Sequence, residues 1–223
     1  MRRIVGVDIG GETGPWESIG LRVADSRAVV GSVTLRFVGG ESRLHRVLVD
    51  DPDGLFGSTV AQDRSDGLLR SDAVAFEIDG AAWGVGDPDA ETGVVPERPG
   101  HPLGATLIDH LVLMTPDLHR TCGAIESTLG EPLKRVRDAG NGVQQGFFRL
   151  GEVIVEVVQA PQVPAGGSSW WGLVVVVEDL SEITARLGPD VISAPREAVQ
   201  PGRSIASVRG SVGLGMPVAL MSR

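Results

Sequence analysis

Cysteine occurs once in the 223 residues, at Cys122, lysine once, at Lys134, and tyrosine not at all. A lone cysteine excludes an internal disulfide framework and a cysteine-rich zinc site. Positive charge is also in deficit: 20 Lys and Arg against 29 Asp and Glu leave a net charge of −9. Phosphate backbones need a basic face, so nucleic acid is excluded as a partner, and an acidic membrane surface is disfavoured for the same reason. Long apolar runs are missing. The longest, Leu173 to Val177, falls far short of the roughly 20 residues that span a bilayer. The opening MRRIVGVDIGGETG has no stretch of signal-peptide length, because Asp8 interrupts it early. The expectation is a soluble, cytoplasmic protein. Scarce lysine with abundant Gly and Ala fits a G+C-rich bacterial genome.

What is present suffices for a core: 42% of the residues are hydrophobic, far above a disordered composition. The chain exceeds one average domain but is within reach of a single two-part unit. Residues 87–105, rich in proline and glycine and without either hydrophobic period, read as a linker. It separates residues 1–86 from residues 106–223.

The second part is the clearer. IDHLVLM (108–114) is a β-rich run, and TPDLHRTCGAIESTLG (115–130) reads as a helix. Thr115 is its expected N-cap, Pro116 its first residue and Gly130 its stop, with Leu118, Cys122, Ile125 and Leu129 at helical spacing. KRVRD is a short strand, and GFFRL and EVIVEVV form a hairpin around Gly151. The order then recurs: GLVVVVE is a strand, DLSEITARLG a helix capped by Asp179, SIASVRG a strand, and MPVALMS closes the set. Two successive β-α-β-β-β units form an internal repeat. Helices near 116–129 and 180–187 should therefore occupy equivalent places.

The first part is mostly β. IVGVDIG (4–10), AVVGSVTLRFV (28–38), HRVLVD (45–50) and DAVAFEID (72–79) look like strands, with one short helix at GPWESIGL (14–21). GVDIGG lacks the helix-opening pattern of a phosphate loop.

The strings DHLVLMTPDL, QGFFRLGEVIVEVV, WGLVVVVEDL and PVALMS, in that paired order over residues 107–222, resemble the vicinal-oxygen-chelate superfamily of glyoxalases, bleomycin-resistance proteins and dioxygenases. The resemblance implies an α+β fold in which paired β-α-β-β-β units form a curled mixed sheet, with a degenerate β-rich N-terminal half beside it. It places the site in the trough of the sheet. Metal-binding members draw His or Gln from the first strand of a unit and Glu from its last. His110 and Glu156 stand at those positions, so the resemblance implies them as catalytic residues and as ligands of a divalent metal. Such an ion would polarise vicinal oxygens in a lyase, isomerase or dioxygenase reaction. Alternation puts Glu156 on one face with Ile154 and Val158, where a carboxylate needs a partner.

The second unit departs from this pattern. Gly172 falls opposite His110, and Ala219 or Leu220 opposite Glu156. Two ligands hold an ion poorly, which favours the alternative of a binding protein that sequesters a small molecule without transforming it. In the first part, His45 and Glu77 echo His110 and Glu156 and could complete a shared site. Trp171, Phe148, Arg149 and Arg203 are the expected substrate-binding residues: Trp170 and Trp171 precede a strand, Phe147 and Phe148 point to opposite faces, and Arg203 lies in a turn. Cys122 reads as a buried structural thiol, and His119 and His101 as solvated. The resemblance leaves a homodimer open, because two halves in one chain can take its place.

Overall fold

The computed structural model describes residues 1–56, 74–87 and 100–223. Residues 57–73, and the part of the expected linker at 88–99, lie outside the described residues.

Residues 105–221 form an eight-stranded mixed sheet with two helices on one face. The first unit runs β7 (Ala105–Thr115), α2 (Leu118–Leu129), β8 (Arg135–Gly140), β9 (Val143–Leu150) and β10 (Val153–Gln159). The second runs β11 (Ser169–Val177), α3 (Leu180–Leu187), β12 (Arg196–Glu197), β13 (Ser204–Ser207) and β14 (Val218–Met221). In each, the first strand pairs parallel with the last, and the two middle strands continue antiparallel outward. β7 and β11 pair antiparallel at the centre. The order β12-β13-β14-β11-β7-β10-β9-β8 therefore reads the same from either edge, as two copies of one unit require.

The helices form where their spacing predicts, with one difference at the first cap. Asp117, not Thr115, is the N-cap: its side chain accepts from the Arg120 N–H at 3.0 Å. Thr115 is the last residue of β7, and its hydroxyl accepts from the Asp117 N–H at 3.0 Å. At the second helix Asp179 caps as expected, accepting from the Glu182 N–H at 2.8 Å.

The first half is a six-stranded sheet, built from β1 (Ile4–Ile9), α1 (Gly14–Ser18), β2 (Arg27–Val30), β3 (Val33–Phe37), β4 (Leu44–Val49), β5 (Ala75–Ile78) and β6 (Ala81–Val85). The long run expected at 28–38 is a hairpin, because Gly31 turns the chain at φ +61. The run expected at 72–79 is shorter, and β6 follows it through Asp79-Gly80, both at positive φ, the signature of a tight hairpin turn. Among the described residues, the order β2-β3-β1-β4-β6-β5, with β1 parallel to β3, β4 parallel to β6 and β1 antiparallel to β4, repeats the eight-stranded pattern without its outermost strand on either side.

One hydrophobic core serves both sheets. Val7, Ile9, Val47 and Trp83 share it with Leu111, Val155, Leu173 and Val175, each strand supplying every second residue. Polar ties cross the same junction. Arg120 grips Asp79 through two nitrogens at 2.8 and 3.2 Å, and Arg2 Nε donates to the Leu129 carbonyl at 3.0 Å. The Trp170 indole donates to the Ala82 carbonyl at 2.9 Å, with its ring edge-on to Trp83. With the convex face of the large sheet covered, its concave face is left to form a site.

Candidate functional site

The trough face carries alternate residues: Gln145, Phe147 and Arg149 from β9, Ile154 and Glu156 from β10, Ile205 from β13 and Met221 from β14. They line a cavity of about 410 Å³, a volume that suits a small molecule. At its floor a β-bulge breaks the alternation. Val174 pairs with His110 and Val175 with Ile108, which leaves Asp109 as the extra residue. A bulge re-aims a side chain, and here it brings Asp109 beside its neighbour His110 instead of to the opposite face. Asp109 Oδ2 lies 2.8 Å from His110 Nδ1.

His110 Nε2 lies 3.5 Å from Glu156 Oε2, and Gln145 donates to the other Glu156 oxygen at 2.5 Å. Arg203 donates to Asp109 Oδ1 at 2.7 Å and to the Ser222 carbonyl at 2.8 Å. The result is a line, Arg203–Asp109–His110–Glu156–Gln145, running from the second unit into the first. Burial by itself would raise the Asp109 carboxyl, but hydrogen bonds from His110 and Arg203 hold it down at about 2. Glu156 moves the other way: burial pushes its carboxyl up, against the pull of His110 and Arg137. An ionised Asp109 only accepts, so His110 directs an N–H at Nδ1 toward it and turns Nε2 toward Glu156. Among the polar atoms of the line, the buried Gln145 Oε1 has no partner.

No protein-family model and no curated protein matches the sequence. Solved structures do resemble it over about half its length. Methylmalonyl-CoA epimerase from Mycobacterium tuberculosis is 16% identical, with a TM-score of 0.44 over 53% of this chain and 89% of that one. A variant of Streptomyces coelicolor methylmalonyl-CoA epimerase in complex with 2-nitronate-propionyl-CoA is 17% identical, with a TM-score of 0.44 over 53% and 97%. A hypothetical protein from Bacillus halodurans is 15% identical, with a TM-score of 0.43 over 52% and 93%. The paired β-α-β-β-β order read from the strands themselves decides the architecture. It is the arrangement that the sequence resemblance to the vicinal-oxygen-chelate superfamily implied. A fold hosts many chemistries, so the activity has to be argued from the residues.

Members of this fold that use a divalent metal need three or four protein donors to fix its geometry. Here two converge, His110 Nε2 and Glu156 Oε2. In the second unit Gly172 stands at the position equivalent to His110, since it pairs with Val112 as His110 pairs with Val174. Ala219, paired with Val174 as Glu156 is with Val112, stands at that of Glu156; neither side chain is a donor. Gln145 presents its amide nitrogen to Glu156. Among the described residues no group of three or more His, Cys, Asp or Glu could hold an ion. The donor set does not fit a resident metal.

The remaining sequence candidates divide. Arg149 lines the cavity. Phe148 borders it, yet its side chain is 1% exposed and belongs to the core, so Phe147 supplies the trough-facing ring. Trp171 does not line the cavity. It is the extra residue of a second bulge, between Trp170 and Gly172, and stands 49% exposed. Arg203 is engaged by Asp109 and is not free to bind a ligand. Neither His45 nor Glu77 lines the cavity: His45 Nε2 bonds the Glu41 carbonyl at 3.0 Å, and Glu77 is exposed on β5, which is not the last strand of its set. His101, expected in solvent, is half-buried; its Nδ1 accepts from the Arg22 N–H at 2.9 Å and its Nε2 donates to the Val29 carbonyl at 2.7 Å. Cys122 is buried, and burial pushes its thiol up to about 11. His119 is exposed.

Asp109 is the residue that sequence reasoning missed. Period-two alternation puts it on the face opposite His110, and nothing local signals the bulge.

Proposed function

We propose that the trough of residues 105–221 binds a small molecule and that His110 and Glu156 move a proton on it as an acid–base pair. The observation that carries this reading is the Asp109–His110–Glu156 line. Asp109 and Arg203 hold the imidazole in one tautomer, with Nε2 as the base. Burial makes Glu156 keep its proton to higher pH than an ordinary glutamate. Groups whose environments drive their proton affinities apart suit acid–base work. One member of the pair removes a proton from an acidic position of the ligand, and the other returns one. That is an isomerase-type step, without an oxidant or a metal. Gln145 anchors Glu156 through its amide nitrogen.

The test is solvent deuterium exchange. The protein is incubated in D2O with a panel of 2-oxo and 3-oxo acids, and loss of their C–H signals is followed by proton NMR. Exchange by the wild type that disappears in both His110→Gln and Glu156→Gln supports the proposal. Binding without exchange replaces it with the sequestering reading, which Gly172 and Ala219, without a donor at the equivalent positions of the second unit, favour.

The domain division at 1–86, 87–105 and 106–223 belongs to the same proposal. Residues 1–86 serve as a reduced copy of the paired sheet, a scaffold behind the trough. Its strand order supports this, and so does the face of its sheet where Asp8 is taken up by Arg36 at 2.6 Å and Arg46 at 2.7 Å. Among the described residues no helix is long and apolar enough to cross a membrane.

A further inference from the structure

The chain carries a net charge of −9, yet Lys134, Arg135, Arg137, Arg149 and Arg196 all line the one trough, against a single lining carboxylate, Glu156. Asp109 below it is already taken by Arg203. Among the described residues none of the five forms a direct ion pair, and Arg137 alone acts at a distance on Glu156. Surface arginines in an acidic protein would ordinarily find carboxylates, so the grouping needs a cause.

Their placement supplies one. Arg135 and Arg137 sit two apart on edge strand β8, level with Phe147 and Gln145 of β9, so both face the trough. Arg196 comes from β12 at the opposite edge of the sheet, level with Ile205. The curl of the sheet sets these two cationic rims on either side of the cavity. Between them the wall is apolar: Phe147, Ile154, Val199, Ile205 and Met221.

We infer that the trough takes a small organic molecule with two or more negative charges, carboxylate or phosphate, on an apolar body. The anionic groups lie between the Arg135–Arg137 rim and Arg196, and the body covers Phe147 and Met221 above His110. Guanidinium forks match both kinds of oxyanion, and a concave wall focuses their field. The inference rests on the trough being the ligand site. It does not depend on proton transfer occurring there.

Calorimetry on the full chain tests it, with phenyl phosphate, phthalate and neutral benzamide as probes. At least one dianion is expected to bind and benzamide not to. Binding should weaken at about 0.15 M salt, where exposed charges are screened within about 8 Å. Which dianion binds tells phosphate from carboxylate. R135A/R137A and R196A should each weaken it tenfold or more, with unchanged melting temperature because all three side chains reach solvent. E156Q should keep the binding while losing any deuterium exchange, so the two proposals fail separately. Binding of neither dianion, equal binding of benzamide, or arginine variants that bind as the wild type does would overturn the inference.

Discussion

Asp109→Asn removes the charge on which the site line depends and keeps its shape. In the folded protein the Asp109 carboxyl is held at about 2, against an ordinary 3.8. That difference of nearly two units corresponds to about 2 kcal/mol of stability at about 1.4 kcal/mol per unit. The sign follows from the depression. The contribution is complete above the unfolded value near pH 4 and is lost as pH falls through about 2, where the folded carboxylate takes up its proton. The asparagine variant lacks it throughout. Urea unfolding followed by tryptophan fluorescence, in steps from pH 2 to pH 7, should show wild type ahead by about 2 kcal/mol at neutral pH. The gap should close between pH 4 and pH 2. A gap that stays constant with pH would mean that packing, not charge, accounts for it. No gap at pH 7 would refute the role of Arg203 and His110 in holding Asp109.

Glu156→Gln should stabilise the fold at pH 7, because the raised carboxyl is an ionisation cost that grows as pH climbs above its ordinary 4.5; the gain should vanish in melts at pH 4. Native Cys122, with its thiol near 11, should resist a thiol-exchange reagent at pH 8 and react at the ordinary rate in urea; fast reaction in the native state would show that the helix opens. Gly172→Ala should cost about 2 kcal/mol or more, since the new methyl meets the Pro217 carbonyl, an overpacking penalty measurable as a lower urea midpoint. Dialysis against a chelator should leave the melting temperature unchanged, and a drop reversed by zinc would refute the reading of the donor set.

Much of the fold was legible because its signals are local and repeated. Asp117-Leu118 and Asp179-Leu180 each open a helix after an apolar strand, and the two-residue period of a strand sets Glu156 of VIVEVV on one face with Ile154. Two such units can bury their apolar faces only together. The pairing of β7 with β11 is therefore implied by the pattern, and with it a trough holding His110 and Glu156. The composition also excluded a disulfide framework and a nucleic-acid surface.

The rest depends on where the chain fails to be regular. Strand periodicity assigns a face to each residue only while pairing stays in register, and a bulge costs one residue without leaving a mark in composition. Asp109 joined the site and Trp171 left the cavity through two such bulges. Arg203, which reads as a cation in a turn, became the partner of Asp109 because β13 and β7 lie near each other only once the sheet has curled. Phe147 and Phe148 could be assigned to opposite faces from sequence, but which face was the trough waited on the packing of the helices. The five cations are scattered from residue 134 to residue 196, and only closure of the two edges over one cavity makes them a group. Local alternation and capping act within a few residues, so the sequence by itself determined the units. Register, curl and charge grouping arise between strands far apart in the chain, so the tertiary structure decided the site.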